Sequence, residues 1–295
     1  MYFCRMSRIK HFLLKFLLAS FGAIPFRVIY VLSDGLAFLL YRVVRYRSKV
    51  VEGNLRRAFP EKSNDEIRQI IRQFYSSLAD VSLESLQSST ISPTEATRRC
   101  RPVNPELVNF YLDQNRSVIL AGSHLGNWEW GGLSMPPTFH GATITAFKPV
   151  SDKTVENFFN DARSRTGMEL VSMEDLFRVM RKRSTEAAVF ILLGDQSPSS
   201  RKSAHWVNFF GQPTATLPGT DVLARKFSFP VIYYRTVRRS RGLYEIEFEE
   251  ICADPSVMSE KAITQKYADL LENDIRKQPE QWLWSHKRWK MEREL

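Results

Sequence analysis

Cysteine is scarce in this 295-residue chain: there are three, Cys4, Cys100 and Cys252, and no two form a CxxC pair. That suits a reducing compartment and argues against a disulfide framework or a zinc site. The chain contains no G-x-S-x-G elbow and no H-E-x-x-H helix, so neither of those two routes to hydrolysis is written in it. It has no internal repeat, no low-complexity linker and no A-x-A-like cleavage site near its start, which disfavours a cleaved signal peptide. Acidic residues are nearly missing from one end. Residues 1–57 hold eleven Lys/Arg and two Asp/Glu, whereas the remaining 238 residues hold 31 basic and 30 acidic ones. The net charge of +10 therefore sits almost wholly on an N-terminal arm.

A basic arm seeks polyanions, and its other residues choose between them. His11 to Tyr46 is dense in Leu, Phe, Val and Ile, unlike the polar arms that bind nucleic acid, so anionic lipid is the better partner. No single run of about 20 apolar residues survives, because Lys15, Pro25-Phe26-Arg27 and Asp34 interrupt it. The pattern predicts two helices, 9–24 and 26–45. Positive charges flank both ends, at Arg5, Arg8, Lys10 and Lys15 and again at Arg42, Arg45, Arg47 and Lys49. A helical pair inserted from one face keeps both clusters near headgroups, which fits better than a span.

With 43% apolar residues the rest can bury a sizeable core. Ser63-x-x-Glu66 fits a capping box and opens a helix from about 64 to 88 with an Ile67, Ile70, Phe74, Leu78 stripe. Strands are expected at 118–122, 143–147, 188–193, 231–236 and 244–248. Helices are expected at 127–134, 152–166, 173–183, 216–228 and 257–276. Strands alternating with helices predict an α/β fold with a mostly parallel central sheet flanked by helices. The clean alternation of "YEIEFEE" reads as a half-exposed edge strand. The organisation expected is a membrane-associated helical segment, 1–46, followed by one catalytic domain, 47–295.

In an open α/β sheet, reactive groups gather at the carboxyl ends of the strands. "VILAGSHLGNWEWGG" places His124 just past such an end and Glu129 five residues later. Five residues of continuous helix turn through about 500°, so the two share a face only if His124 lies in the turn and Glu129 in the helix after it. Glu129 then holds one ring N–H and leaves the other nitrogen as a base. With no nucleophile of its own nearby, the chain would take one from the substrate: a hydroxyl deprotonated by His124 attacks an activated acyl group. Gly126 and the N–H groups at the helix start are candidate oxyanion donors. H-x4-E lacks a third ligand, so no metal is expected.

"SHLGNWEW" resembles the H-x4-D/E motif of lysophospholipid-type acyltransferases. Its glutamate form, enclosing Gly126-Asn127-Trp128, is similar to the late, lauroyl and myristoyl, acyltransferases of lipid A biosynthesis. "NLRRAFPEKS", "AFKPVSD", "DARSRTGMELV", "GDQSP", "VNFFGQPTATLPGTDVLAR" and "PEQWLWSHKRWK" follow in the family's order, so the resemblance covers about Arg42 to Lys290. It implies an enzyme on the cytoplasmic face of the bacterial inner membrane. That enzyme moves a fatty acyl chain from acyl-carrier protein, a thioester donor with no further cofactor, to a hydroxyl of a Kdo-lipid A-type glycolipid precursor. On that mapping His124 is the base and Glu129 its partner. Arg163 stands where the family has an arginine near the active site, to bind an oxyanion or a substrate phosphate. Lys148 would meet a phosphate or the carrier. Asp195 and Gln196, at a strand end on the same rim, would bind a substrate hydroxyl or order Arg163. Gly126 and Asn127 complete the substrate-binding set. Phe209-Phe210-Gly211 and Thr216–Pro218 fit an acyl groove or the core. His286 fits the surface or a substrate contact, and Trp282, Trp284 and Trp289 the bilayer interface. Another lipid acceptor, or a non-catalytic adaptor, stays open.

Overall fold

The computed structural model describes residues 20–147, 152–183 and 186–291. Lys148 and the helix expected at 9–24, except its last residues, lie outside them. The first long element is α1, Phe26–Phe38, which continues into a π-helical turn, Leu39–Val43. The continuous helix expected to 45 is thus broken into two kinds of turn. The basic helix α2, Ser48–Ala58, follows. Then comes α3, Asn64–Leu86, opened by the expected capping box: Glu66 N–H donates to Ser63 Oγ at 3.3 Å and Ser63 N–H to Glu66 Oε2 at 2.8 Å.

Seven strands form one sheet: β1 Cys100–Pro102, β2 Val118–Gly122, β3 Ala142–Phe147, β4 Met168–Ser172, β5 Ala188–Leu193, β8 Val231–Ser240 and β9 Leu243–Cys252. Their spatial order is β1-β9-β8-β2-β5-β3-β4, and every pairing is parallel except β8 with β9. A separate antiparallel pair, β6 His205–Phe209 and β7 Gln212–Thr216, lies outside it. The sheet's centre is β2, paired in register with β5 and with β8. All five of its residues are buried, as expected of an apolar run covered on both faces. Alternation sorts the core. Ile119, Ala121 and Phe190 face one cluster, with Trp282 and Trp284, and Val118, Leu120 and Ile191 the other, with Trp130 and Tyr244.

Helices α4 Pro93–Arg99, α5 Glu106–Leu112, α6 Trp128–Ser134, α7 Lys153–Arg165, α8 Leu176–Lys182, α9 Gly219–Phe227 and α10 Ala262–Lys277 complete the layers. The strand expected as a half-exposed edge, 244–248, is not an edge: β9 lies between β8 and the three-residue β1. Its alternation and half-exposure are real, and the polar side is ion-paired, as in the pairing of Arg101 with Glu245 and of Arg235 with Glu247.

Helix α1 is keyed into the body through α3. Ile29 and Ser33 are buried, Ser33 Oγ donates to Asp80, Tyr30 Oη donates to Glu84 at 3.0 Å, and Asp34 pairs with Arg241 at 2.7 Å. The opposite side exposes Val28, Val31, Leu32 and Phe38, followed by Val43 and Val44. Among the described residues no helix is long and apolar enough to cross a membrane.

Candidate active site

The site is built where β2 ends. Gly122 is required there because an added Cβ would fall inside the Tyr234 ring of β8. Its carbonyl accepts from Tyr267 Oη at 2.7 Å and from Gly194 N–H at 3.1 Å, which ties the ends of β2 and β5 together. His124 and Asp195, the residues just beyond those ends, therefore meet. Asp195 Oδ1 lies 2.7 Å from His124 Nδ1, and Oδ2 accepts the His124 backbone N–H and the Trp282 indole N–H, each at 2.9 Å.

The carboxylate is only 3% exposed. Burial pushes it up, but the neighbouring imidazolium charge and the three hydrogen bonds outweigh that and hold it at about 2. His124 responds in the matching sense: burial disfavours its charged form, Asp195 more than offsets this, Glu129 adds to it, and the ring's pKa is raised. With a carboxylate on Nδ1, that nitrogen carries the proton and Nε2 is the free lone pair. Gln196 Nε2 approaches it at 3.4 Å, and the ring packs edge-on against Trp128 with centroids 5.1 Å apart.

Glu129 sits in the first turn of α6, as the spacing requires, but it does not hold the imidazole N–H. Arg163 of α7 reaches it with a fork of N–H groups at 2.7 and 2.9 Å from Nη2 and 3.3 Å from Nε. The expected geometry is corrected to two carboxylates with separate partners: Asp195 on the ring and Glu129 on the guanidinium. Gln196 is at His124 Nε2 and Arg163 at Glu129, so four of the expected site residues converge with His124.

Two others do not face substrate. Asn127 is fully buried; its Oδ1 caps α6 by accepting Trp130 N–H at 2.9 Å, and its Nδ2 donates to Glu84 at 2.8 Å. Gly126 has φ +64°, and an added Cβ would stand 3.0 Å from the Thr236 carbonyl. Its N–H donates to Gln281 O at 3.0 Å and so is not free for an oxyanion.

The Gln281 contact belongs to a C-terminal strap, residues 279–290, which runs antiparallel beside the turn after β2 at Leu125 and Trp282. Trp282, Trp284 and Trp289 are all buried, and Phe209 and Phe210 pack on them. The bilayer-interface reading of these tryptophans is therefore corrected, and the two phenylalanines belong to the core. Two residues of the strap were not anticipated in a firm role. Trp282 binds Asp195, and Arg288 is buried with its guanidinium on Ala215 O at 2.6 Å and Thr216 Oγ1 at 2.8 Å. A signal existed in the buried-looking W-x-W run, but nothing local said what it packs on.

Beside the site opens a cleft of about 490 Å³. Trp128, Glu129, Gln196 and His286 line it, with the apolar side chains of Leu78, Val81, Phe159 and Leu283 and with Tyr46 and Arg47. Side chains of His124 and Glu129 each keep 16% exposure.

The family model for bacterial lipid A biosynthesis acyltransferases matches residues 3–291. The lipid A biosynthesis lauroyltransferase of Escherichia coli is 25% identical over 270 residues, covering 90% of this chain and 87% of that protein. The lipid A biosynthesis palmitoleoyltransferase of the same organism is 22% identical over 271 residues, covering 90% and 86%. An acyltransferase of lipid A biosynthesis from Shigella flexneri is similar to the same degree, 22% over 271 residues.

Proposed function

From the premise that this chain belongs to the bacterial lipid A biosynthesis acyltransferase family and is an acyltransferase, we propose that it transfers a fatty acyl chain from acyl-carrier protein to a hydroxyl of a Kdo-lipid A-type precursor. His124 is the general base. The observation that carries this reading is the 2.7 Å contact between Nδ1 and Asp195, which fixes the tautomer and leaves Nε2 as the basic nitrogen beside the cleft. The acceptor hydroxyl displaces the Gln196 amide and gives its proton to Nε2. Its oxygen bonds to the thioester carbonyl carbon, and the intermediate collapses with cleavage of the C–S bond. The departing thiolate takes the proton back from the imidazolium, leaving an ester and free carrier thiol. Asp195 stabilises the imidazolium through Nδ1. Glu129 does so through space, held in place by Arg163, whose remaining N–H groups suit a substrate phosphate. Lys148 keeps its proposed role toward a phosphate or the carrier. No cofactor enters this scheme.

The basic, apolar arm, 1–46, rests on the cytoplasmic leaflet of the bacterial inner membrane, and 47–295 forms the catalytic domain. The outward apolar face of α1 and the charges at Arg42, Arg45, Arg47 and Lys49 support that reading. Tyr46 and Arg47, where the arm meets the catalytic domain, line the cleft, which suits an acceptor whose own chains stay in the bilayer.

The test is an assay of the purified protein with carrier-bound and coenzyme A-bound acyl donors and a lipid A precursor. Carrier-dependent gain of one acyl chain, reduced about 10³-fold in His124→Ala, is expected. Full transfer by His124→Ala overturns the mechanism, and acylation only of another lipid overturns the acceptor.

A further inference from the structure

Acyl transfer needs a hydrogen-bond donor for the oxyanion that forms at the thioester carbonyl. Two of the sources in the turn are engaged: Gly126 N–H by Gln281 O, and the Asn127 side-chain amide by Glu84 and Trp130. The cleft wall offers another. His286 lines the cleft together with Trp128, Glu129 and Gln196. The Ser197 backbone N–H points at His286 Nε2 at 3.0 Å. A backbone N–H only donates, so Nε2 is the acceptor nitrogen, and in a neutral ring the proton sits on Nδ1. Nδ1 has no hydrogen-bond partner among the described residues.

The ring's place is fixed from several sides. Its backbone N–H donates to Leu283 O at 3.1 Å and its carbonyl accepts from Asn54 Nδ2 at 2.7 Å. Burial first, then the positive charges of Arg288, His124 and Lys290, lower its pKa against the pull of Asp195, which favours the neutral form. Ser197 directly follows Gln196, the residue that touches His124 Nε2, so one short turn addresses both imidazoles.

We propose that His286 is the oxyanion donor of this site: its Nδ1–H hydrogen-bonds the carbonyl oxygen of the acyl thioester and holds the negative charge that develops there. The inference rests on the acyl-transfer reading above. No proton leaves His286. The carbonyl π electrons move to oxygen as the acceptor oxygen bonds to carbon, and they return as the C–S bond breaks. Base and donor are then two rings with complementary tautomers, Nε2 bare on His124 and Nδ1 protonated on His286.

Two substitutions separate this from a purely structural role, assayed for kcat and KM on the purified full-length protein with carrier-bound donor and lipid A precursor. His286→Gln keeps an acceptor near Nε2 for Ser197 but removes the donor at Nδ1. His286→Asn places an amide N–H near Nδ1 and gives up the Ser197 contact. The donor role predicts a fall in kcat of about 100-fold for His286→Gln with KM little changed, and at least a tenfold recovery of it in His286→Asn. The reverse order, or equal values for the two variants, overturns it. Wild-type protein without acyl transfer sinks the underlying reading as well; an active wild type with a fully active His286→Gln sinks this proposal alone.

Discussion

Asp195 and Glu84 are both carboxylates sealed from water, 3% and 0% exposed, and they flank the same turn after β2. Their ionisation runs in opposite directions. Asp195 is held at about 2 despite its burial, because it touches a ring that can become a cation. Glu84 is pushed up by burial, and its donors, Tyr244 Oη and Asn127 Nδ2 at 2.8 Å and Tyr30 Oη at 3.0 Å, are neutral and only partly offset this. Equal dryness therefore does not set the charge; the partner does. The first carboxylate holds the Nδ1 side of the His124 ring. The second joins α1, α3, α6 and β9 behind the turn and needs no charge to do so.

That contrast is open to attack. The largest effect is expected at Asp195→Asn. An amide there no longer enforces the Nδ1–H tautomer, so kcat/KM should fall about 10³-fold while the melting curve stays cooperative. A loss under tenfold would put Asp195 in the same structural class as Glu84. Next in size is the pH dependence. A base must be unprotonated, and the His124 pKa is raised above its ordinary 6.5, so kcat/KM should climb through a midpoint above that value. In Asp195→Asn the midpoint of the residual activity should move to lower pH, the main raising charge being gone. Identical midpoints in the two proteins would detach the pair.

The smallest activity effect is expected at Glu84, where stability is the readout. Glu84→Ala leaves a buried amide and two hydroxyls short of an acceptor and should cost about 3 kcal/mol in denaturant unfolding. Glu84→Gln should stay within about threefold of wild-type activity. The signs of linkage differ between the two sites. The folded pKa of Glu84 is raised, so its contribution is full below the ordinary 4.5 and lost as pH rises through the shifted value. That of Asp195 is lowered, so its contribution is full above the ordinary 3.8 and lost as pH falls toward about 2. The melting temperature of Glu84→Gln relative to wild type should consequently improve between pH 5 and pH 9. A flat difference would mean that Glu84 is charged throughout.

Runs such as "VILAG" and "AVFILL" were legible as strands because both faces of a central parallel strand are apolar, and periodicity with turn residues fixed their neighbours. β1 escaped notice because three residues carry no pattern, and the β6–β7 pair because "HWVNFFGQPTAT" mixes polar and aromatic residues without clean alternation. In the site, His124 and Glu129 were readable from local spacing, and Asp195 and Gln196 from their place at a strand end. Which carboxylate meets which cation was not. That depends on Arg163 arriving from 34 residues away and on β2 and β5 being immediate neighbours, both products of tertiary packing. The three strap tryptophans read as membrane-facing because composition alone cannot tell a bilayer from a core.

The strap also sets a schedule. Trp282 and Gln281 secure Asp195 and the turn after His124, so the pairing of His124 with Asp195 is complete only once residues 279–290 have docked. The order of the site is therefore sensitive to any change that loosens that strap, however far from His124 in sequence the change lies.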